Sequence, residues 1–145
     1  MKVPMKVDYG VRALVELASH QGERPIQTAE IAAKQSIPEA YLDHLLTTLH
    51  KFGLIRSRRG PSGGHVLAKD PSDISLGMVM ATLEGNTPLV DCLVEPDECS
   101  LSHTCAQRGV WKSVEDAMQD LLNATTVADL AYRQNQLAGR GMYQI

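Results

Sequence analysis

Aromatic side chains are scarce in this chain of 145 residues: one Trp, one Phe and four Tyr make up 4% of it. Sandwich-type β cores draw on aromatic and β-branched residues, so the shortage favours a helical protein with an interior of Leu, Val, Ile, Ala and Met. Cysteine is sparse as well, at three. An odd and small number excludes a disulfide scaffold and leaves buried thiols or ligands in a reducing compartment. No apolar run approaches the roughly 20 residues that cross a bilayer. The stretch Met1-Lys2-Val3-Pro4-Met5-Lys6 also lacks the apolar segment of a secretory signal. A cytoplasmic protein without a membrane partner is the expectation. Catalytic signatures are missing too: there is no Ser/His/Asp arrangement and no credible pair of carboxylates. Gly60 to Gly64 is Gly-rich but runs into a strand, whereas a phosphate loop opens a helix. An enzyme is therefore not expected.

Positive charge is in short supply overall, with 14 Lys and Arg against 17 Asp and Glu, a formal net charge of −3. The total hides an asymmetry. Residues 1–70 carry ten basic and seven acidic side chains, a net +3, and residues 71–145 carry four basic and ten acidic ones, a net −6. A basic first half and an acidic second half suggest two jobs, of which phosphate binding is one.

The apolar pattern divides the chain further. Val11, Leu14, Val15 and Ala18 form one stripe of a helix from about Val7 to His20, ended by Gln21-Gly22-Glu23-Arg24-Pro25. A second helix is expected from a Thr28 cap to about Lys34, with Glu30 in its first turn and Ile31 and Ala32 inward. Ser36-Ile37-Pro38-Glu39 fits a capping box for a third helix, whose stripe is Leu42, Leu45, Leu46 and Leu49. The period then changes: residues 54–58 and 65–68 read as strands around the turn Arg59-Gly60-Pro61-Ser62-Gly63-Gly64. Three helices and a hairpin make a winged helix-turn-helix. A fourth helix opens at Ser75, carries Leu76, Val79, Met80 and Leu83, and ends at Gly85.

Residues 86–105 have no periodicity and hold all three cysteines. A long helix from about Thr104 to Asn123 follows, with Trp111, Val114, Met118, Leu121 and Leu122 on one face. That face lies outside the winged-helix core and needs a partner. A short helix around residues 126–130 precedes a loose tail from Gln134 to Ile145. The expected division is thus a DNA-binding unit over 1–85, a cysteine loop over 86–105, helices over 106–133 and a flexible tail over 134–145. The fold class is mainly α with a small β-hairpin wing.

In a helix-turn-helix the second helix offers its N-terminal residues to base edges, opposite its apolar stripe. Here those residues are Glu39, Ala40, Tyr41, Asp43, His44 and Thr47. Asp43 can accept from a cytosine amine, and His44 can donate to purine N7 or O6. A plain solvated helix face would look the same. The hairpin tips the balance, since Arg56, Arg58 and Arg59 flank a Gly-rich turn, and Arg59 with Gly60 at the tip is placed to enter a minor groove. Lys2, Lys6, Arg12 and Lys51 are further phosphate contacts. Double-stranded operator DNA is the expected partner.

Cys92, Cys99 and Cys105 sit in a loop rich in acidic and breaker residues, and the Cys-x2-Cys knuckle of zinc sites is absent. The spacing suits a loop wrapped around a larger thiolate-bound object such as an iron-sulfur cluster. On spacing alone, unrelated thiols or one redox disulfide with a spare fit it together slightly better than a cluster does. A fourth ligand would be His103, a carboxylate or a residue of another subunit.

Taken together, these motifs resemble the dimeric winged-helix regulators of the IscR, NsrR and RirA type. The matching residues are Asp8-Tyr9-Gly10-Val11-Arg12-Ala13-Leu14, Ala29-Glu30-Ile31-Ala32, Tyr41-Leu42, Gly53-Leu54-Ile55, Arg59-Gly60-Pro61, Gly63-Gly64, the three cysteines and Trp111. They span residue 1 to about 133. The resemblance implies a homodimer held by the helix carrying Trp111, Val114 and Met118. It also implies an iron-sulfur cluster on Cys92, Cys99 and Cys105, with 2Fe-2S ahead of 4Fe-4S, and DNA contacts from the third helix and Arg59. Two departures stand out. The IscR-like pattern has a histidine three residues after the last cysteine, where this chain has Arg108, and its first cysteine gap is one residue shorter. The NsrR-like pattern takes a carboxylate from the partner's first helix, which makes Asp8 the first candidate for the fourth ligand, ahead of His103. The implied function is a transcriptional regulator whose operator affinity follows the cluster. Its alternatives are a metal-free thiol sensor of the same fold and, further off, a small iron-sulfur carrier or electron-transfer protein.

Overall fold

A computed structural model describes residues 2–143. Helices α1 (Met5–Ser19), α2 (Thr28–Gln35) and α3 (Glu39–Lys51) are followed by the antiparallel hairpin β1 (Ile55–Arg58) and β2 (Gly64–Leu67). Then come α4 (Leu76–Glu84), α5 (Arg108–Ala124) and α6 (Val127–Tyr143). The leucine stripe of α3 does what its spacing requires: Leu42, Leu45, Leu46 and Leu49 are all buried. Leu42, Leu46 and Leu49 meet Leu14 of α1, Ile31 of α2, Leu54 and Ile55 at the hairpin, and Val79 of α4 in one core. Ser75 caps α4 as expected, its hydroxyl accepting from the Met78 amide at 3.1 Å.

Two other caps differ from expectation. Ser36 does not open α3. It closes α2 in the left-handed conformation, φ 55°, and its amide and that of Ile37 both donate to the Ala32 carbonyl. The α3 ladder starts from the Pro38 carbonyl, so the turn between the two helices is set by a C-cap and a proline. Thr28 is the first residue of α2 and makes no cap, because its hydroxyl is taken by His65 of the wing.

The C-terminal part departs further. The long helix begins at Arg108, not near Thr104, because the residues before it, through the last cysteine, form turns. Residues expected as a short helix and a loose tail form instead the 17-residue α6, helical through Tyr143. Gln144 and Ile145 lie outside the described residues. The reason is packing: Val127 and Ala131 are buried in the winged-helix core, and Leu130 packs against it. The chain is sewn back at this point by Leu76 N–H to Thr125 O (2.9 Å) and Val127 N–H to Ile74 O (2.8 Å). Helix α5 therefore leaves the core and α6 returns to it. Among the described residues no helix is long and apolar enough to cross a membrane.

Candidate nucleic-acid interface and cysteine loop

Every α3 residue expected at the base edges, Glu39, Ala40, Tyr41, Asp43, His44 and Thr47, is exposed. Burial of the opposite stripe forces this, since residues three and four apart share a face and the others must look outward. Thr47 Oγ1 donates back to the Asp43 carbonyl at 2.9 Å. Tyr41 is braced edge-on by Tyr9 of α1, with ring centroids 5.7 Å apart. Beside α3, Arg56, Arg58, Arg59 and Gly60 are also exposed, and no ion pair among the described residues engages these arginines. Their charge is thus free to meet a phosphate or a groove.

Register places Arg56 opposite Val66 and Arg58 opposite Gly64 on one face of the hairpin, with Ser57 opposite His65 on the other. His65 is the residue that sequence reasoning passed over. Its ring bonds Ser57 Oγ at 2.7 Å and Thr28 Oγ1 at 2.9 Å. Burial pushes its imidazole below the ordinary histidine range; Asp43 acts in the opposite direction and His50 adds to the lowering. The alternation Ser57/His65 around a turn was the available signal.

Behind the interface, Glu16 of α1 is buried and gathers Gln35 Nε2 (2.8 Å), His20 Nε2 (3.1 Å) and Lys34 Nζ (3.3 Å). Burial raises its carboxyl, but the three donors outweigh burial and hold it below the usual carboxylate range. This network locks α1 to α2. Arg12 adds a second tie, donating to both Asp8 oxygens (3.0 and 3.2 Å) and to the Gln35 carbonyl (3.2 Å).

All three thiols are free, Cys99 exposed and Cys92 and Cys105 half-buried. Cys92 is anchored through its backbone, because Arg108 of α5 donates to its carbonyl from Nε and Nη2 at 3.3 and 3.1 Å. Thus the arginine at the place of the IscR-type histidine holds the loop through a carbonyl. Glu115 of α5 accepts the Leu89 amide at 3.1 Å, a second tie between the loop and that helix. His103 is exposed and its Nε2 lies 3.9 Å from Asp97. The thiols are the right kind of donor for an iron-sulfur group. Yet no three His, Cys, Asp or Glu side chains among the described residues come together as a group that could hold a metal ion. The single chain offers the atoms without assembling them.

Helix α5 has no buried residue, although it is strongly amphipathic; Trp111 is 40% and Leu121 68% exposed. It stands at the edge of the core with its apolar face only partly covered: Val114, Met118 and Leu122 are half-buried, whereas Val110, Trp111 and Leu121 are exposed.

Comparison with known proteins bears on both regions. The family model described as "Rrf2: Iron-dependent Transcriptional regulator" matches residues 3–133. The chain is 32% identical over 137 residues to the HTH-type transcriptional regulator IscR of Serratia proteamaculans (strain 568), covering 94% of this chain and 83% of that protein. Two solved structures are similar throughout. CymR, the global cysteine regulator of B. subtilis, superposes with a TM-score of 0.79 at 34% identity, covering 92% of this chain and 98% of that one. IscR of T. potens superposes with a TM-score of 0.76 at 34% identity, covering 92% and 88%.

Proposed function

This chain belongs to the Rrf2 family of transcriptional regulators, and from that premise we propose that it binds operator DNA as a homodimer whose affinity is set at the cysteine loop. The observation that carries the DNA reading is the polar face of α3, exposed over its whole N-terminal half and flanked by three arginines without an ion-pair partner. Tyr41, Asp43, His44 and Thr47 would face base edges in the major groove, with Glu39 at the helix start. Arg59 and Gly60 would reach a minor groove, and Arg56 and Arg58 the backbone. The uncovered apolar face of α5 supports the dimer, which would set two α3 helices about 34 Å apart, one turn of DNA.

For the sensor we assign Cys92, Cys99 and Cys105 as the thiolate ligands of an iron-sulfur cluster, 2Fe-2S ahead of 4Fe-4S. When bound, such a group supplies a reversible redox change and bonds to thiolate that oxygen, nitric oxide or loss of iron can break. The chain's own residues do the rest. Arg108 and Glu115 tie the start of the loop to α5, so order gained in the loop is felt by the helix with the uncovered face. A bias of ~1.4 kcal/mol between competent and incompetent dimers changes operator affinity about tenfold. Asp8 of a partner subunit is the first candidate for the fourth ligand. It is held by Arg12 in an exposed pair, which is weak enough to be surrendered. His103 is the competitor.

A second reading rests on the free, unassembled thiols, exposed at Cys99: a metal-free regulator in which two of them are oxidised to a disulfide by a peroxide or a small disulfide. Anaerobic isolation with iron and sulfide analysis, followed by binding of reconstituted and apo protein to its own upstream DNA, separates the two. Bound iron and sulfide with a difference in DNA affinity supports the cluster. Colourless, iron-free protein after reconstitution removes it, and oxidant-dependent binding then selects the thiol sensor. Arg59→Ala should weaken operator binding several-fold and leave the cluster spectrum unchanged; unaltered binding would remove the wing from the interface.

A further inference from the structure

We propose that His65 is the positioning residue that fixes the wing's pitch against the helix-turn-helix, so that Arg59 and the face of α3 engage DNA as one rigid surface. The inference rests on the DNA-binding reading above and concerns how its two contact elements are coupled. A two-stranded hairpin has little stability of its own and would otherwise swing on its connections.

Here the hairpin is fastened at three levels to the segment that opens α2. The main chains of His65 and Ile26 exchange hydrogen bonds of 2.8 and 3.0 Å, adding Ile26 to the hairpin as a third-strand bridge. Gly64 allows this approach: it sits at φ 142°, and a Cβ there would stand 2.7 Å from the Ile26 carbonyl. At the wing tip, Gln27 Nε2 donates to the Pro61 carbonyl at 3.2 Å. Between these lies the His65 ring, joined at one nitrogen to Ser57 of its own hairpin and at the other to Thr28 of α2.

The ring is suited to the task. Burial favours its neutral form, which has one donor and one acceptor nitrogen. A hydroxyl can complement either, so both bonds form in either tautomer. Leu54, Ile55 and Leu67 seat the base of the hairpin in the core, so the freedom that remains is in the half of the wing beyond the Ile26 bridge. The ring supplies the off-axis bond that removes this freedom. Since α2 is packed on α3, with Ile31 and Leu42 in the same core, an angle fixed against α2 is fixed against the recognition face.

The test is a double-substitution cycle on operator affinity, read by fluorescence anisotropy with the full chain and its upstream DNA. His65→Phe keeps the ring volume and removes both bonds. It should weaken binding about fivefold to tenfold, the loss of roughly one net hydrogen bond's worth of pre-organisation. Combined with Arg59→Ala, the double variant should bind no more weakly than the weaker single variant, because the Arg59 contact that the ring positions is already lost. Combined with His44→Ala the losses should multiply, because α3 is untouched. Thr28→Val, which removes one bond at a half-exposed site, covers the case in which His65→Phe fails to fold. It should reproduce the same pattern at smaller size. Multiplicative losses with Arg59→Ala, or unchanged affinity in both His65→Phe and Thr28→Val, overturn the proposal. If instead Arg59→Ala and His44→Ala both leave binding intact, it is the DNA-binding reading that fails.

Discussion

Residues 5–84 and residues 86–124 are of similar helical character but opposite in closure. In the first, each helix buries its apolar face: nine of the ten largest fully buried side chains, Leu14, Ile31, Leu42 and Leu46 among them, come from this stretch, and the tenth is Val127. Buried charge is satisfied as well, as the three donors on Glu16 demonstrate. In the second, α5 buries nothing and the cysteine loop is held by a few backbone bonds to α5. One region is complete in a single copy, and the other presents surfaces that only a further component can complete. Closure by its own packing makes residues 5–84 costly to rearrange, whereas residues 86–124, held by few contacts, have a low local cost of rearrangement.

That contrast can be broken or sharpened by substitution. The largest effect belongs to the closed region. Leu46→Ala should cost about 2–5 kcal/mol of unfolding free energy in urea titration, because the site is fully enclosed and cannot collapse around the missing atoms. Glu16→Ala should cost less, about 1–3 kcal/mol, by stranding the donors of Gln35 and His20. Its signature is pH dependence. The Glu16 carboxyl is held below its ordinary value of 4.5 in the folded state, so its contribution is complete above that value and drains away as pH falls through the lower folded one. Wild type should therefore lose an increment of stability on acidification that Glu16→Gln does not lose; parallel acid limbs would assign Glu16 a packing role only. Ser75→Ala should cost about 1 kcal/mol through loss of the α4 cap. Smallest is the effect of Leu121→Asp in the open region. Unfolding of the monomer should move by no more than about 0.5 kcal/mol, while sedimentation should show the dimer lost. A dimer that survives Leu121→Asp would mean that another face is used.

Much of the closed region was legible in residue spacing. The stripe Leu42, Leu45, Leu46 and Leu49 determined which side of α3 is buried and hence that Asp43, His44 and Thr47 face outward. The Ser75 cap and the alternation of the hairpin were legible for the same reason, as each is an interaction between near neighbours. The capping-box pattern at Ser36 misled because the same residue can serve either helix it lies between. Closure of α2 onto the Ala32 carbonyl won the competition. The polar composition after Gln134 suggested a tail, but Val127, Leu130 and Ala131 just before that segment dock onto the core, and the helix they begin runs on through it.

Of the candidate site, residue types and order along the chain were readable, and the junctions were not. His65 and Thr28 are 37 positions apart, Arg108 and Cys92 16, and Glu16 and Gln35 19. By itself the sequence determined the first four helices, the hairpin, the polar face of α3 and the stock of three thiols, since periodicity and turn chemistry act over a few residues. Only the tertiary structure decided that α6 returns to the core while α5 stands off it. It alone also decided that the wing is fastened through His65 and that Arg108 grips the cysteine loop by a carbonyl. Those outcomes depend on which distant surfaces meet, and burial and hydrogen bonding choose among such meetings only once the whole chain has folded.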